Sequence, residues 1–239
     1  LLTVHLDNPT GYGRIVRNSE NVIERIVEQK DANEAEKCIT EVNTGLLCVK
    51  RKLLAKWLAD LNNDNAQGEY YLTDIIAMAV SEGIPVNAVH PESEFEVLGV
   101  NDRLQLGELE REYQYQKARG FQRDGLYLSD ANRFDIRGEL KFGQDCAIDV
   151  NVVIEGSVKL GNEVKIGPNC VIKDAEIGDG VEVLTNSVIE EATVGANSRI
   201  GPFGRLRPGA QLSEKVHVGN FVEIKKSTID KGSKVNHLA

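Results

Sequence analysis

The stretch from Ile148 to Val183, IDVNVVIEGSVKLGNEVKIGPNCVIKDAEIGDGVEV, decides the fold. It places an aliphatic residue at about every sixth position, a period that fits neither a helix nor strand alternation and marks a coiled β-solenoid. The series runs through Ile148, Ile154, Leu160, Ile166, Ile172, Ile177, Val183, Ile189, Val194, Ile200, Leu206, Leu212, Val218, Ile224, Ile229 and Val235. Twelve of its fifteen steps are six residues and three are five. The residue two before each guide is always small, from Cys146 and Val152 to Ser227 and Ser233. A triangular coil needs that pairing, with a large inward residue on each flat face and a small one near each corner. Gly161, Gly167, Gly178, Gly195, Gly201 and Gly219 directly follow guides, where a sharp corner is expected to use glycine's freedom at positive φ.

Working outward, residues 101–121 change to a helical pattern, with Leu104, Leu106, Leu109 and Tyr113 on an expected apolar stripe. A bridge, GLYLSDANRFDIRGEL, then leads into about five coils. Residues 1–100 mix strand and helix signals. LLTVHL, GLLCVK, PVNAVH and FEVLGV read as strands, while RKLLAKWLADL and YLTDIIAMAVSEG have helical spacing. The turn-rich DNPTGYGRI and NNDNAQGEY read as loops of the kind that carry ligands. Three parts follow: 1–100 as an α/β unit, 101–121 as a linker helix, and 122–239 as solenoid.

At 239 residues and 41% hydrophobic, the chain is long enough for real cores. It has no membrane-length apolar run and no secretory signal pattern, so it reads as cytoplasmic, without membrane insertion. A net charge of -9 argues against a general nucleic-acid binder, although local basic clusters can still hold a phosphate. Cys38, Cys48, Cys146 and Cys170 lack metal-ligand spacing, and packing is their expected role.

Two groups in the solenoid carry chemistry. Arg207 and Lys225 each follow a guide, and the 18 positions between them hold no short step, so they stack one coil apart. Adjacent strands lie about 4.8 Å apart, a spacing at which two cations repel unless an anion intervenes. They form either a solvated basic edge or a phosphate clamp, with Glu223 as a neutralising neighbour. His237 falls two residues after Val235, off the inward positions, as either an ordinary surface histidine or a base for an amine. His5, His90 and His217 have no comparable context. In the first unit, Gly13 lies in a tight turn able to approach a ligand, and Glu28, Asn43 and Asn101 are polar residues near strand ends.

DNPTGYGRI, IVEQKDA, EVNTGLL, NAQGEYYLTDIIA, GVNDRLQL, RFDIRGEL, IGPFGRLRPGA, HVGNFVEIKKS and KGSKVNHL occur together and in this order. In this the chain resembles, over its whole length, the bacterial bifunctional N-acetylglucosamine-1-phosphate uridyltransferase/glucosamine-1-phosphate N-acetyltransferases. The resemblance implies an α/β, partial Rossmann-like nucleotidyltransferase domain, then a linker helix and a left-handed parallel β-helix of hexapeptide repeats assembling as a homotrimer. It implies acetyl transfer from acetyl-CoA to glucosamine 1-phosphate, then uridyl transfer from UTP, giving UDP-N-acetylglucosamine for cell-wall precursors and pyrophosphate. By motif, Gly13, Glu28, Asn43 and Asn101 look like the residues that hold UDP-N-acetylglucosamine, with Asn101 also a Mg²⁺ ligand. Arg207 and Lys225 look like the sugar-phosphate ligands and His237 like the general base. The chain opens in mid-strand and stops with the repeat running, which reads as a fragment expected to catalyse neither reaction alone. Another sugar-1-phosphate nucleotidyltransferase with a structural β-helix, or a non-catalytic trimerisation module, are the competing readings.

Overall fold

A computed structural model describes residues 1–100 and 102–238. The described residues form two compact units, Leu1–Arg103 and Leu104–Ala239.

In the first unit, β1 (Thr3–His5), β2 (Arg14–Arg17), β3 (Ile23–Val27) and β4 (Glu41–Asn43) make an antiparallel sheet in the order β1-β4-β2-β3. α1 (Glu34–Lys37) starts with a reciprocal capping box between Asn33 and Glu36. α2 (Arg51–Asp60) and α3 (Ile75–Ser81) follow, α3 being entered through a 3₁₀ turn at Leu72–Asp74. Trp57, Ile75, Ile76 and Ala79 on these helices pack with Ile15, Ile23 and Ile26 of the sheet. Both expected helices are therefore present. Three expected strands are not: GLLCVK is irregular, FEVLGV holds a 3₁₀ turn at Glu94–Glu96, and PVNAVH contributes one parallel bridge, Leu2↔Val89. An apolar run of this length supplies core side chains to α2 and α3 without needing a ladder, as Leu47, Val49 and Val86 do.

The second unit is the left-handed parallel β-helix of hexapeptide repeats expected from the sequence. Every guide from Ile148 to Ile224 is buried, as is the small residue two before it. Three faces stack in register, exemplified by Ile148↔Ile166, Ile154↔Ile172 and Leu160↔Ile177. Ser187 and Ser198 are the buried polar members of the small series. Their hydroxyls take the backbone N–H groups of Gly204 and Val216 at 3.2 and 3.0 Å, so the buried oxygens are satisfied. The three five-residue steps, Ile172 to Ile177, Ile189 to Val194 and Ile224 to Ile229, all turn the same corner. There the chain passes through Asp174, Glu191 and Lys226 at φ 45, 43 and 46°, where the six-residue steps use Gly156 and Gly209.

The glycines that follow guides need correction. Of the six, only Gly201 has positive φ; corners turn instead three residues after a guide, as at Asn151, Asn169 and Asn186. The glycines answer to space. A Cβ on Gly178 would lie 2.8 Å from the amide nitrogen of Ala196, and one on Gly219 would strike the carbonyl of Asn236. Consecutive coils leave no room there for a side chain.

The bridge also proves to be solenoid. Tyr127–Leu128 pairs with Ala147–Ile148, and Phe134–Lys141 pairs with Val152–Leu160, adding a coil. Leu128 and Ile136 are eight residues apart where their partners Ile148 and Ile154 are six apart, and a 3₁₀ turn at Ala131–Arg133 takes up the excess. α4 (Arg103–Arg123) packs on this first coil with a face other than the expected one. Leu104, Leu106 and Tyr113 are exposed, and Gln114 and Ala118 are buried. Gln114 donates to the carbonyl of Ile136 at 3.0 Å and accepts from its N–H at 2.8 Å, behaving as one more strand residue on the solenoid's edge. Phe121 meets Phe134 and Phe142 edge-on.

Candidate functional site

The first candidate site is built where β2, β3 and β4 meet. Tyr12 donates its N–H to Pro9, and Gly11 at φ 91° turns the chain back toward β2. Gln29 Oε1 locks this turn by accepting from Gly11 N at 3.1 Å and from Arg14 Nη2 at 2.6 Å. The Arg14 guanidinium also bonds the carbonyl of Tyr12, and burial lowers its pKa. Gly13 has no spare volume: a Cβ there would lie 2.9 Å from Ile26 Cγ2 and 3.3 Å from both Glu28 oxygens. Its carbonyl accepts from Asn43 N at 2.8 Å, and Asn43 Oδ1 accepts from Gly45 N at 3.1 Å. Gly13, Glu28 and Asn43, far apart in sequence, are thus neighbours. Asn101 lies outside the described residues.

A second ring of contacts fixes Glu28 and its turn. Thr73 donates its hydroxyl to Glu28 Oε1 at 2.9 Å. Tyr71 donates to Asp31 at 3.1 Å, Gln67 to the Tyr71 hydroxyl at 2.8 Å, and Lys30 to Gln67 at 2.6 Å. Burial, helped by the charge of Asp31, raises the pKa of Asp74 nearby. Sequence reading singled out none of Thr73, Gln29 or Arg14. Thr73 stood inside NAQGEYYLTDIIA, whose order was the available signal.

The second candidate site lies on the outside of one solenoid face. Leu206 pairs with Ile224, and Arg207 N donates to Ile224 O at 2.8 Å, so Arg207 and Lys225 occupy successive coils as their spacing required. Glu223 is the intervening anion. It binds Arg207 Nη1 at 2.9 Å and Arg205 Nη1 at 3.5 Å. The Arg207 hydrogen bond chiefly, with the charges of Arg207, Arg205 and Lys225, holds the Glu223 carboxyl below its usual range. Glu190 also approaches Arg205, at 3.6 Å. Three cations against two carboxylates leave this exposed patch positive, suited to an anion of small size. His237 is exposed and follows Val235 of the preceding face, so it does not share the face of Arg207 and Lys225. One corner of that coil is apolar: Phe203 and Phe221 stack at 5.1 Å and are 45 and 56% exposed.

Of the cysteines, Cys146 and Cys170 are buried and Cys38 and Cys48 exposed. Burial pushes the Cys170 thiol up to about 11, which removes it from thiolate chemistry and fits packing. His5 and His90, without context in the sequence, have ring centroids 5.6 Å apart.

These features define a class: a hexapeptide-repeat β-helix with an external basic patch, preceded by an α/β unit holding a carboxylate against a glycine turn. A family model described as the GMPPB C-terminal domain matches residues 136–238. The chain is 60% identical over 240 residues to the bifunctional protein GlmU of Methylococcus capsulatus, covering 100% of the chain and 52% of that protein. To the protein of the same name from Marinobacter nauticus it is 59% identical over 239 residues, covering 100% of the chain and 53% of the relative. The chain spans about half the length of these relatives, and over that half it is similar throughout to bifunctional GlmU proteins. Among solved structures, the acetyltransferase domain of PglB from Neisseria gonorrhoeae in complex with acetyl coenzyme A is 15% identical. It covers 66% of this chain and 87% of its own, with a TM-score of 0.44.

Proposed function

We propose that the chain contributes to two sites that together make UDP-N-acetylglucosamine. The observation that carries this is the convergence of Gly13, Glu28 and Asn43 in one unit and the Arg207–Glu223–Lys225 stack in the other, in a chain similar throughout to these proteins. In the first unit, Gly13, Glu28, Asn43 and Asn101 hold UDP-N-acetylglucosamine. The Glu28 carboxylate, oriented by Thr73, accepts from sugar hydroxyls, and the turn locked by Gln29 and Arg14 lets the backbone at Gly13 come close to the ligand. Mg²⁺ belongs to this reading through Asn101.

In the second unit, Arg207 and Lys225 bind the phosphate of glucosamine 1-phosphate. His237 takes a proton from the sugar ammonium; the amine so formed attacks the thioester carbonyl of acetyl-CoA, the C–S bond breaks with its electron pair leaving on the CoA sulfur, and the second proton shed by the nitrogen neutralises that thiolate. Because His237 lies off the face of Arg207 and Lys225, the reading favours sites completed between copies of a homotrimer, and the exposed Phe203–Phe221 stack offers an apolar strip for that contact. No described helix is long and apolar enough to cross a membrane, and a cytoplasmic location belongs to the same reading.

Isothermal titration with UDP-N-acetylglucosamine tests the first unit, with Glu28→Ala expected to abolish binding. In a full-length version, His237→Ala should lower acetyl transfer by about 10² to 10⁴-fold and leave uridyl transfer unchanged. Intact acetyl transfer in that variant would sink the assignment of the base. Light scattering after size exclusion reads the trimer.

A further inference from the structure

Beside the first of these sites, another cluster spans β1, β4 and the segment bridged to β1 around Val89. His5 of β1 stands directly opposite Glu41 of β4 in the antiparallel register. On the other side of β1, Thr3 N bonds Val89 O at 2.9 Å, and His90 follows. Directly opposed residues on an antiparallel pair share a face of the sheet, and so do residues two apart on one strand. Thr3, His5 and Glu41 therefore lie together, and the Thr3 hydroxyl donates to Glu41 Oε1 at 2.8 Å. His5, Glu41 and His90 each bring one ligand atom to within 4.8 Å of the others. They line a pocket of about 640 Å³ that opens to solvent.

The surrounding contacts orient these groups as outer partners orient metal ligands. Because the single hydroxyl proton of Thr3 goes to Glu41, His90 Nδ1, 3.1 Å from both Thr3 Oγ1 and Thr3 O, carries a proton and donates it. That leaves Nε2 of His90 with the free lone pair. His5 Nδ1 is placed 3.3 Å from Thr40 Oγ1. Arg17 grips Glu41 with Nε on Oε2 and Nη2 on Oε1, both at 2.7 Å. Oε1, which also serves Thr3, is then fully used, and Oε2 keeps one open acceptor position. The Arg17 charge beside that oxygen weakens attraction for any cation, so binding must come chiefly from the two neutral imidazoles. That requirement selects borderline metals over hard ones such as Mg²⁺ or Ca²⁺.

We propose that His5, Glu41 and His90 form a binding site for a divalent first-row transition metal of the Zn²⁺ type. The test is a Zn²⁺ titration of the 239-residue chain against a chromogenic chelator, with the histidine ring protons followed by NMR. One equivalent is expected to bind with a dissociation constant on the order of 10 µM. Ring signals of His5 and His90 shift, those of His217 and His237 do not, and a large excess of Mg²⁺ does not compete. The double variant His5→Ala/His90→Ala loses at least about tenfold in affinity, as loss of ligands does elsewhere, while His217→Ala and Cys38→Ser bind as the parent does. Both histidines are exposed, so the double variant should keep the parent's melting temperature, which the same sample reports. The proposal is overturned if the parent chain binds no equivalent tighter than about 1 mM, or if the double variant binds Zn²⁺ as tightly as the parent.

Discussion

Removing the Gln114 amide tests how the solenoid is closed at its first coil. The side chain satisfies both backbone groups of Ile136, at 3.0 and 2.8 Å, in a place where Gln114 is 2% and Ile136 4% exposed. Gln114→Ala leaves a donor and an acceptor without partners, and each such group costs about 1–3 kcal/mol, so the second unit should lose about 2–6 kcal/mol. Gln114→Leu restores volume but not the bonds and should do little better. Gln114→Glu keeps the acceptor but sets a buried carboxylate against the Ile136 carbonyl and Glu110, so it should be the worst at neutral pH and recover as acid protonates the carboxyl. Urea unfolding followed by circular dichroism reads the solenoid, while fluorescence of Trp57, the one tryptophan of the chain, reads the first unit and should not move. Hydrogen exchange at the Ile136 amide should accelerate in step with the lost stability. A loss under about 0.5 kcal/mol, with Ile136 exchange unchanged, would refute the bridging role and leave α4 to Ala118, Phe121 and the Arg111–Asp135 ion pair.

Gly178→Ala should cost more than about 2 kcal/mol because backbone must move to admit the methyl group, whereas Gly68→Ala, with open space but φ 66°, should cost about 1 kcal/mol; paired melting curves give the contrast. Glu36 is held below the usual carboxylate range by its hydrogen bond to Arg25 and then by the Asn33 N–H. A depressed folded pKa gives stability that is present above the ordinary value of about 4.3 and lost as pH falls through the folded one. Glu36→Gln should therefore be less stable at pH 7 and show a flatter decline between pH 5 and 2 in a denaturation series. Thiol labelling should modify two of the four cysteines quickly, Cys38 and Cys48, and reach Cys146 and Cys170 only on unfolding.

The solenoid was legible because each of its residues repeats one environment, so a period of six states the inward set outright. The first coil was not, since an eight-residue step from Leu128 to Ile136 breaks the period where a 3₁₀ turn intrudes. The buried face of α4 misleads for a chemical reason: its central residue is polar and bonds backbone, while leucines on the same helix stay exposed. The expected strand GLLCVK shows that a short apolar run fixes burial better than conformation. In the candidate sites, the Arg207–Lys225 stack follows from counting alone. The hold of Thr73 on Glu28 joins residues 45 apart, and the His5–Glu41–His90 cluster depends on which strands become neighbours; neither is visible before the sheet is assembled.

The alignment of all three short steps on one corner gives the solenoid a place where chain length can vary without cost to phase. Asp174, Glu191 and Lys226 turn in five residues what Gly156 and Gly209 turn in six, and the faces above and below stay in register. A glycine inserted beside Lys173 should therefore be absorbed where it is placed. One inserted within a two-residue strand, such as Lys165–Ile166, would instead rotate every later residue out of its position. Length variation among homologous coils should accordingly gather at this edge, and a loop grafted there would be displayed from the rod without disturbing its core.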